Sequence, residues 1–115
     1  MSTERRALQS ALADLEKTME RTQRVLADAG STYGTLRARV AKRMPVAEAF
    51  SDMAMPWSEV AGQLDDLERA RRRVRQAVFA LGLSEGMSIG DLGRLYGFSR
   101  QLAARIAREV REDQS

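Results

Sequence analysis

The chain has 115 residues, of which 43% are hydrophobic and 30% charged, and its formal net charge is +3. This length suits one ordinary domain, or a compact helical unit with an appendage, and the hydrophobic content is sufficient for a core. The absence of cysteine and histidine excludes thiol nucleophiles, disulfides, thiolate zinc sites and imidazole bases or ligands. Since no convergent catalytic set is visible in the remaining residues, we expect neither an enzyme nor a cofactor or metal.

Helix-forming residues dominate the composition, chiefly alanine, leucine, arginine, glutamate and glutamine. Strand-forming aromatic residues make up only 5% of the chain. We therefore predict an all-α fold in which long N-terminal helices, coiled-coil-like or bundled, precede a C-terminal tri-helical unit. The predicted domains are an interaction region at 1–68 and a second domain at 69–115. No apolar run reaches the roughly 20 residues of a bilayer span, and the chain starts without an apolar signal core, so we expect a cytoplasmic protein.

A long first helix is predicted over Thr3–Ala29. Its apolar residues recur at alternating spacings of four and three, which is typical of a coiled-coil stripe. They are Leu8, Leu12, Leu15, Met19 and Leu26, with Thr22 in the remaining slot. Gly30 and Ser31 are predicted to end this helix, with Ser31 or Thr32 capping the next.

A second helix is predicted over Tyr33–Met44, and Pro45 either ends it or begins a short helix over Val46–Met53. The longest pattern follows over Trp57–Leu81, and the segment from Gly82 to Gly86 is predicted to end it. Its apolar stripe contains Val60, Leu64, Leu67, Val74, Val78 and Leu81. The two long stripes favour an antiparallel pairing, which the sequence leaves open between one chain and two.

One two-helix seam cannot bury all of these apolar faces. We therefore expect the N-terminal half to form a homodimer. The alternative is an intramolecular bundle in a monomer. The expected dimer seam comprises Leu8, Leu12, Leu15, Met19, Leu26, Val60, Leu64 and Leu67.

Residues 88–109 carry the most informative pattern, two short amphipathic helices joined by a glycine turn. Ser88 is placed to cap the first of them and Ser99 to cap the second. Gly97 lies where the turn requires a positive φ, which glycine adopts without steric cost. The apolar face of the first helix is expected to contain Ile89, Leu92, Leu95 and Tyr96.

The two helices must approach each other closely at Gly93, and Ala103 and Ile106 are expected to face inward from the second helix. The order of residues is a small residue, an apolar residue, glycine, an apolar residue, serine and then Arg100-Gln101. This pattern resembles the helix-turn-helix superfamily, which includes phage and bacterial repressors, resolvases and the promoter-reading domain of sigma factors. The resemblance covers about 22 residues, or Arg73–Val110 if the preceding helix supplies the third member of the core. Ala103 departs from the usual pattern, in which a larger β-branched residue is common.

The resemblance implies that the helix from Ser99 to about Arg111 lies in the major groove of double-stranded DNA, with its first turn nearest the bases. Arg100 would bind guanine O6 and N7, and Gln101 would bind adenine N6 and N7. The expected base-reading residues are Ser99, Arg100, Gln101, Ala104 and Arg105. The expected phosphate contacts are Arg94, Tyr96, Arg108, Arg71, Arg72, Arg73 and Arg75. For each basic residue, the alternative is a solvated helix face.

The sequence thus favours a sequence-specific DNA-binding protein, a small homodimeric regulator of transcription in a bacterium or phage that acts on the nucleoid. Its dimer would hold two reading helices about 34 Å apart, in successive major grooves. Two alternatives remain. One is a helical interaction module whose N-terminal helices bind a protein of the transcription machinery, and the other is a DNA-organising or partition protein that uses the same motif.

Overall fold

A computed structural model describes residues 2–113, and over this range the chain forms five α-helices and no strand. The all-α prediction is therefore confirmed. The helices are α1 (Thr3–Ala41), α2 (Val46–Phe50), α3 (Trp57–Ser84), α4 (Ile89–Tyr96) and α5 (Arg100–Asp113).

The helices form two compact units, and both long helices contribute to each unit. One unit consists of residues 17–68, and the other consists of the described residues among 1–16 and 69–115. The division after residue 68 coincides with the boundary predicted between the two domains. The start of α1, however, packs with the C-terminal unit and not with the rest of the predicted N-terminal region.

α1 continues without a break through the segment where two helices were predicted, so that prediction is wrong. Neither Gly30 nor Gly34 has a positive φ, and both lie inside the helix. The hydroxyl of Thr32 donates a hydrogen bond to the carbonyl oxygen of Asp28 at 3.3 Å, within the same helix, instead of capping a new one. Each internal glycine costs a helix about 1 kcal/mol relative to alanine, and burial of neighbouring side chains such as Leu36 offsets this cost.

The face that α1 buries also differs from the predicted stripe. Leu12, Met19 and Leu26 are between 43% and 49% exposed. The buried residues between Ala11 and Ala29 are instead small, and they are Ala11, Thr18, Thr22 and Ala29. Small side chains allow a neighbouring helix to approach closely, which explains why packing selects this column over the larger one beside it. Of the predicted stripe, Thr22 is buried, while Leu8 and Leu15 are half-buried.

α1 and α3 pair in an antiparallel manner within the chain. In the C-terminal unit, Arg5 forms an ion pair with Glu85 at 2.6 Å near the ends of both helices. In the unit of residues 17–68, the amide Nε2 of Gln63 donates a hydrogen bond to Thr22 Oγ1 at 2.9 Å. The pairing that the sequence left open thus occurs inside one chain. Four of the eight residues of the expected dimer seam (Leu12, Met19, Leu26 and Leu64) stay on its surface.

α3 ends three residues later than predicted, at Ser84. Gly82 lies inside the helix, where a Cβ atom would come within 2.6 Å of Leu92 Cδ2. Gly86, two residues beyond the end of α3, has a φ of 89° that prevents the helix from continuing. The amide of Met87 donates a hydrogen bond to the carbonyl of Gly82 at 2.9 Å, as in a Schellman motif. Gly82 is therefore required for close packing, and Gly86 is the residue that ends the helix.

The C-terminal unit has a core that is shared by α3, α4 and α5. Phe79, Leu92 and Ile106 are its largest fully buried side chains. The cluster is completed by Ala103, Ala107 and Val110. Leu95 was predicted to lie on the apolar face of α4, but it is 65% exposed, so that part of the prediction is wrong. The buried side of α4 is formed by Leu92 and Gly93, and Leu95 lies outside it.

Candidate nucleic-acid interface

A capping box at the start of α4 aligns this helix. Ser88 Oγ accepts a hydrogen bond from the Asp91 amide at 3.0 Å, and the Ser88 amide donates to Asp91 Oδ2 at 3.2 Å. The prediction that Ser88 caps the helix is confirmed. These hydrogen bonds with Ser88, with a smaller contribution from Arg94, lower the pKa of the Asp91 carboxyl below its usual value.

A tight turn follows α4 and directs the chain into α5. Gly97 has a φ of 69°, in the left-handed region, as predicted. The Phe98 amide donates a hydrogen bond to the Gly93 carbonyl at 2.9 Å, which completes a Schellman motif. A Cβ atom on Gly93 would lie 3.1 Å from Ala103 Cβ. The predicted close approach at Gly93 is therefore present, and it explains Ala103, because a larger residue there would collide with α4.

Replacing Gly97 by alanine is expected to lower the free energy of unfolding by about 1–2 kcal/mol, because an L-residue is strained at this positive φ. Gly90, inside α4, provides the matched control. A Cβ atom at Gly90 meets its nearest neighbour, Arg94 Nη1, at an ordinary 3.6 Å. Gly90→Ala is therefore expected to stabilise α4 by up to about 1 kcal/mol. Urea unfolding monitored by circular dichroism measures both changes, and equal effects of the two substitutions would contradict this account of the turn.

α5 presents two chemically distinct faces. Ser99 caps the helix, and its Oγ accepts a hydrogen bond from the Leu102 amide at 3.2 Å. The inward face packs against the core, and it consists of Ala103, Ile106, Ala107 and Val110. The predicted base-reading and phosphate residues Arg100, Gln101, Arg105 and Arg108 are all exposed, and Ala104 is half-buried.

A shallow concavity of about 480 Å³ follows the outward face of α5. It is lined by Ser99, Gln101, Leu102, Arg105 and Arg108. Four of these five residues belong to the predicted set of DNA contacts. Their donors therefore share one basic surface, which can interact with acceptor atoms such as base edges and phosphate oxygens.

Aromatic side chains connect the turn between α4 and α5 to α3. The rings of Tyr96 and Phe98 are stacked, with centroids 5.0 Å apart and an interplanar angle of 23°. The guanidinium of Arg75 lies 5.9 Å from the centre of the Phe98 ring, on which it forms a cation–π contact. Sequence reasoning missed this stack, although aromatic residues on both sides of Gly97 were the available signal.

The Tyr96 hydroxyl lies near two arginines of α3. Burial raises the pKa of Tyr96, and the positive charges of Arg75 and Arg71 act in the opposite direction. A neutral hydroxyl donates a hydrogen bond. Tyr96, Arg71 and Arg75 therefore form a positively charged donor group beside the turn, and the Nε of Arg75 is buried without a hydrogen-bond partner among the described residues.

The arginines of α3 that were predicted to bind phosphate lie in different surroundings. Arg71 and Arg75 lie near the turn, whereas Arg73 forms an ion pair with Asp14 at 3.3 Å. Arg72 is exposed. On α4, Arg94 is ion-paired with Asp91. Exposed ion pairs are worth at most about 1 kcal/mol, so phosphate groups can compete for both arginines.

Between residues 2 and 113, no group of three or more carboxylates is arranged to hold a metal ion. Over the same residues, no helix combines the length and apolar character that crossing a membrane requires. The surface formed by α5, the turn and the adjacent part of α3 therefore has the clearest functional chemistry.

Comparisons of this chain with protein-family models, with curated proteins and with solved structures gave no match.

Proposed function

We propose that this protein binds double-stranded DNA sequence-specifically through α5, as a small homodimeric regulator of transcription of the bacterial or phage type. On this proposal, the protein acts as helix-turn-helix proteins do, on the nucleoid in the cytoplasm. The observation that carries the proposal is the outward face of α5. On a helix whose opposite face is fully buried, Arg100, Gln101, Arg105 and Arg108 are exposed together.

The first turn of α5 has the chemistry needed to read bases. Arg100 has a planar guanidinium that matches guanine O6 and N7, and the Gln101 amide matches adenine N6 and N7. Both side chains are exposed. The Ser99 cap and the turn at Gly97 hold the start of the helix in place, so little backbone freedom is lost when this turn of the helix binds.

The groups beside the turn suit the phosphate backbone. The neutral hydroxyl of Tyr96 is a hydrogen-bond donor, and Arg71 and Arg75 lie close enough to influence its pKa. In a helix-turn-helix docking geometry, phosphate contacts flank the reading helix and fix its orientation. Tyr96, Arg71 and Arg75 would make these contacts, with Arg94 and Arg108 available from α4 and α5.

Selection of binding sites from random duplexes with the full-length protein tests the proposal. We expect enrichment of a roughly palindromic site whose half-sites are centred about one helical turn, or 34 Å, apart. Equal affinity for unrelated duplexes at fixed salt would contradict sequence-specific reading and favour a DNA-organising protein. Absence of DNA binding would contradict the proposal as a whole and favour the protein-interaction module.

A further inference from the structure

α1 has an exposed apolar column that its own chain leaves uncovered. In the unit of residues 17–68, this column consists of Met19, Leu26, Tyr33 and Val40, which are 38–57% exposed. They recur at intervals of seven residues. Because a helix rotates by only about 20° relative to a seven-residue repeat, these side chains lie along one line of the helix.

α3 extends this apolar surface. Trp57 and Leu64 are also seven residues apart, and they are 57% and 47% exposed. The ring of Trp57 lies 5.4 Å from the ring of Tyr33, between centroids, so the two columns adjoin. We call this surface the apolar flank. It consists of Met19, Leu26, Tyr33, Val40, Trp57 and Leu64.

The buried column of α1 has the apolar flank on one side. The surface on its other side is polar, as expected of a surface that contacts water. Arg21, Asp28 and Thr35 occupy it, again at intervals of seven residues. Helices in water usually expose charged residues on both sides of their buried face. A monomeric protein seldom leaves a contiguous apolar surface of this kind open to solvent. The apolar flank is therefore suited to packing against another chain.

We propose that a second copy of this chain covers the apolar flank, with the two α1 helices antiparallel. Charge complementarity identifies this occupant. Glu20 and Arg37 are exposed and border the flank towards its opposite ends. In the antiparallel arrangement, Glu20 of each copy meets Arg37 of the other, so the twofold symmetry forms two ion pairs. A parallel arrangement would place like charges together.

The same alignment accounts for an otherwise unexplained glycine. When Glu20 lies opposite Arg37, Leu26 of each copy lies beside Gly30 of the other. A Cβ atom on Gly30 would meet nothing within 4 Å in the single chain, and the backbone there does not require glycine. A helix is weakened by an internal glycine. In the proposed dimer, Leu26 of the second copy is the close neighbour of Gly30, and the absence of a side chain on Gly30 leaves room for it.

This inference rests on the homodimer of the proposed function but not on its DNA recognition. Sedimentation equilibrium of the full-length protein without DNA tests it. We expect a dimer with twice the chain mass of 12.8 kDa. Leu26→Glu is expected to raise the dissociation constant at least about a hundredfold, because the substitution places two buried charges in a symmetric interface. Thr35→Glu adds the same charge at an exposed position on the polar side of α1, away from the flank, and should leave association unchanged.

Charge reversal tests the antiparallel alignment independently. Glu20→Arg and Arg37→Glu should each weaken self-association about tenfold, since each creates two like-charge pairs. An equal mixture of the two variants should recover dimers of wild-type affinity, because every reversed pair is then opposite in sign. Failure of the mixture to recover would overturn the alignment. Far-UV circular dichroism verifies that each variant is folded.

The outcomes separate this inference from DNA recognition. A wild-type protein that stays monomeric, or a Leu26→Glu variant that dimerises normally, would overturn the inference even if DNA binding is found. A dimer that responds as described supports it even if site selection shows no DNA binding, in which case only the DNA part of the proposed function fails.

Discussion

A variant that carries both Arg100→Ala and Gln101→Ala is expected to lose most of its affinity for the selected DNA site. Each lost base contact should cost about 1–3 kcal/mol, which corresponds to a factor of about 5 to 150 in the dissociation constant. Both side chains are exposed and lie outside the buried face of α5. The free energy of unfolding should therefore change little, within about 0.5 kcal/mol.

Fluorescence anisotropy at fixed salt measures this loss on the selected site and on unrelated duplexes. The matched control carries Arg24→Ala and Gln9→Ala, which remove the same side-chain types from exposed positions of α1. This control should bind DNA almost as the wild type does. If the Arg100→Ala, Gln101→Ala protein also binds like the wild type, α5 does not read bases, and the role of an interaction module becomes the better hypothesis.

Phe79→Ala is expected to have the largest effect on stability, a loss of about 3–5 kcal/mol in the free energy of unfolding. The Phe79 side chain is 0% exposed, and it lies in the core that α3 shares with α4 and α5. Its ring is 6.1 Å from that of Tyr96, between centroids, so its removal also loosens the turn. α5 has only 14 residues, and isolated helices of this length are marginal in water. The basic face of α5 should therefore lose its ordered presentation together with the core.

Urea unfolding, followed by circular dichroism, provides the measurement for Phe79→Ala. Leu95→Ala is the control, because it removes an apolar side chain from α4 that is 65% exposed. Its expected effect is within about 0.5 kcal/mol. A comparable loss in the two variants would mean that Leu95 contributes to the core as much as Phe79 does, which would contradict the orientation of α4.

Local chemistry made several features of the C-terminal unit predictable. Ser88 and Ser99 were recognisable as helix caps because a serine oxygen can accept a hydrogen bond from the first free amides of a helix. Gly97 was recognisable because the left-handed conformation strongly favours glycine. These signals depend only on residues close in the sequence. They also predicted which side of α5 would present Arg100 and Gln101, because the buried residues recur at helical spacing.

Which apolar residues become buried depended on tertiary contacts. On α1, a column of small residues that includes Ala11 and Thr18 is buried, and Leu26 stays 46% exposed. Residue hydrophobicity alone ranks leucine first, but the distance at which two helices can pack favours small side chains. The distance between packed helices also explains Gly82, because Leu92 from another helix leaves no room for a Cβ atom there.

The sequence alone therefore determined the helical class, the caps of α4 and α5, and the turn between them, since each depends on short-range backbone chemistry. Only the tertiary structure decided that α1 continues through Gly30, that Leu95 is exposed, and that Arg73 is paired with Asp14 while Arg75 lies over Phe98. The physical reason is that these features are fixed by neighbours distant in the sequence. Contacts with these neighbours outweigh the local preferences of each residue. The spacing of residues along one helix does not indicate which neighbour will pack against it.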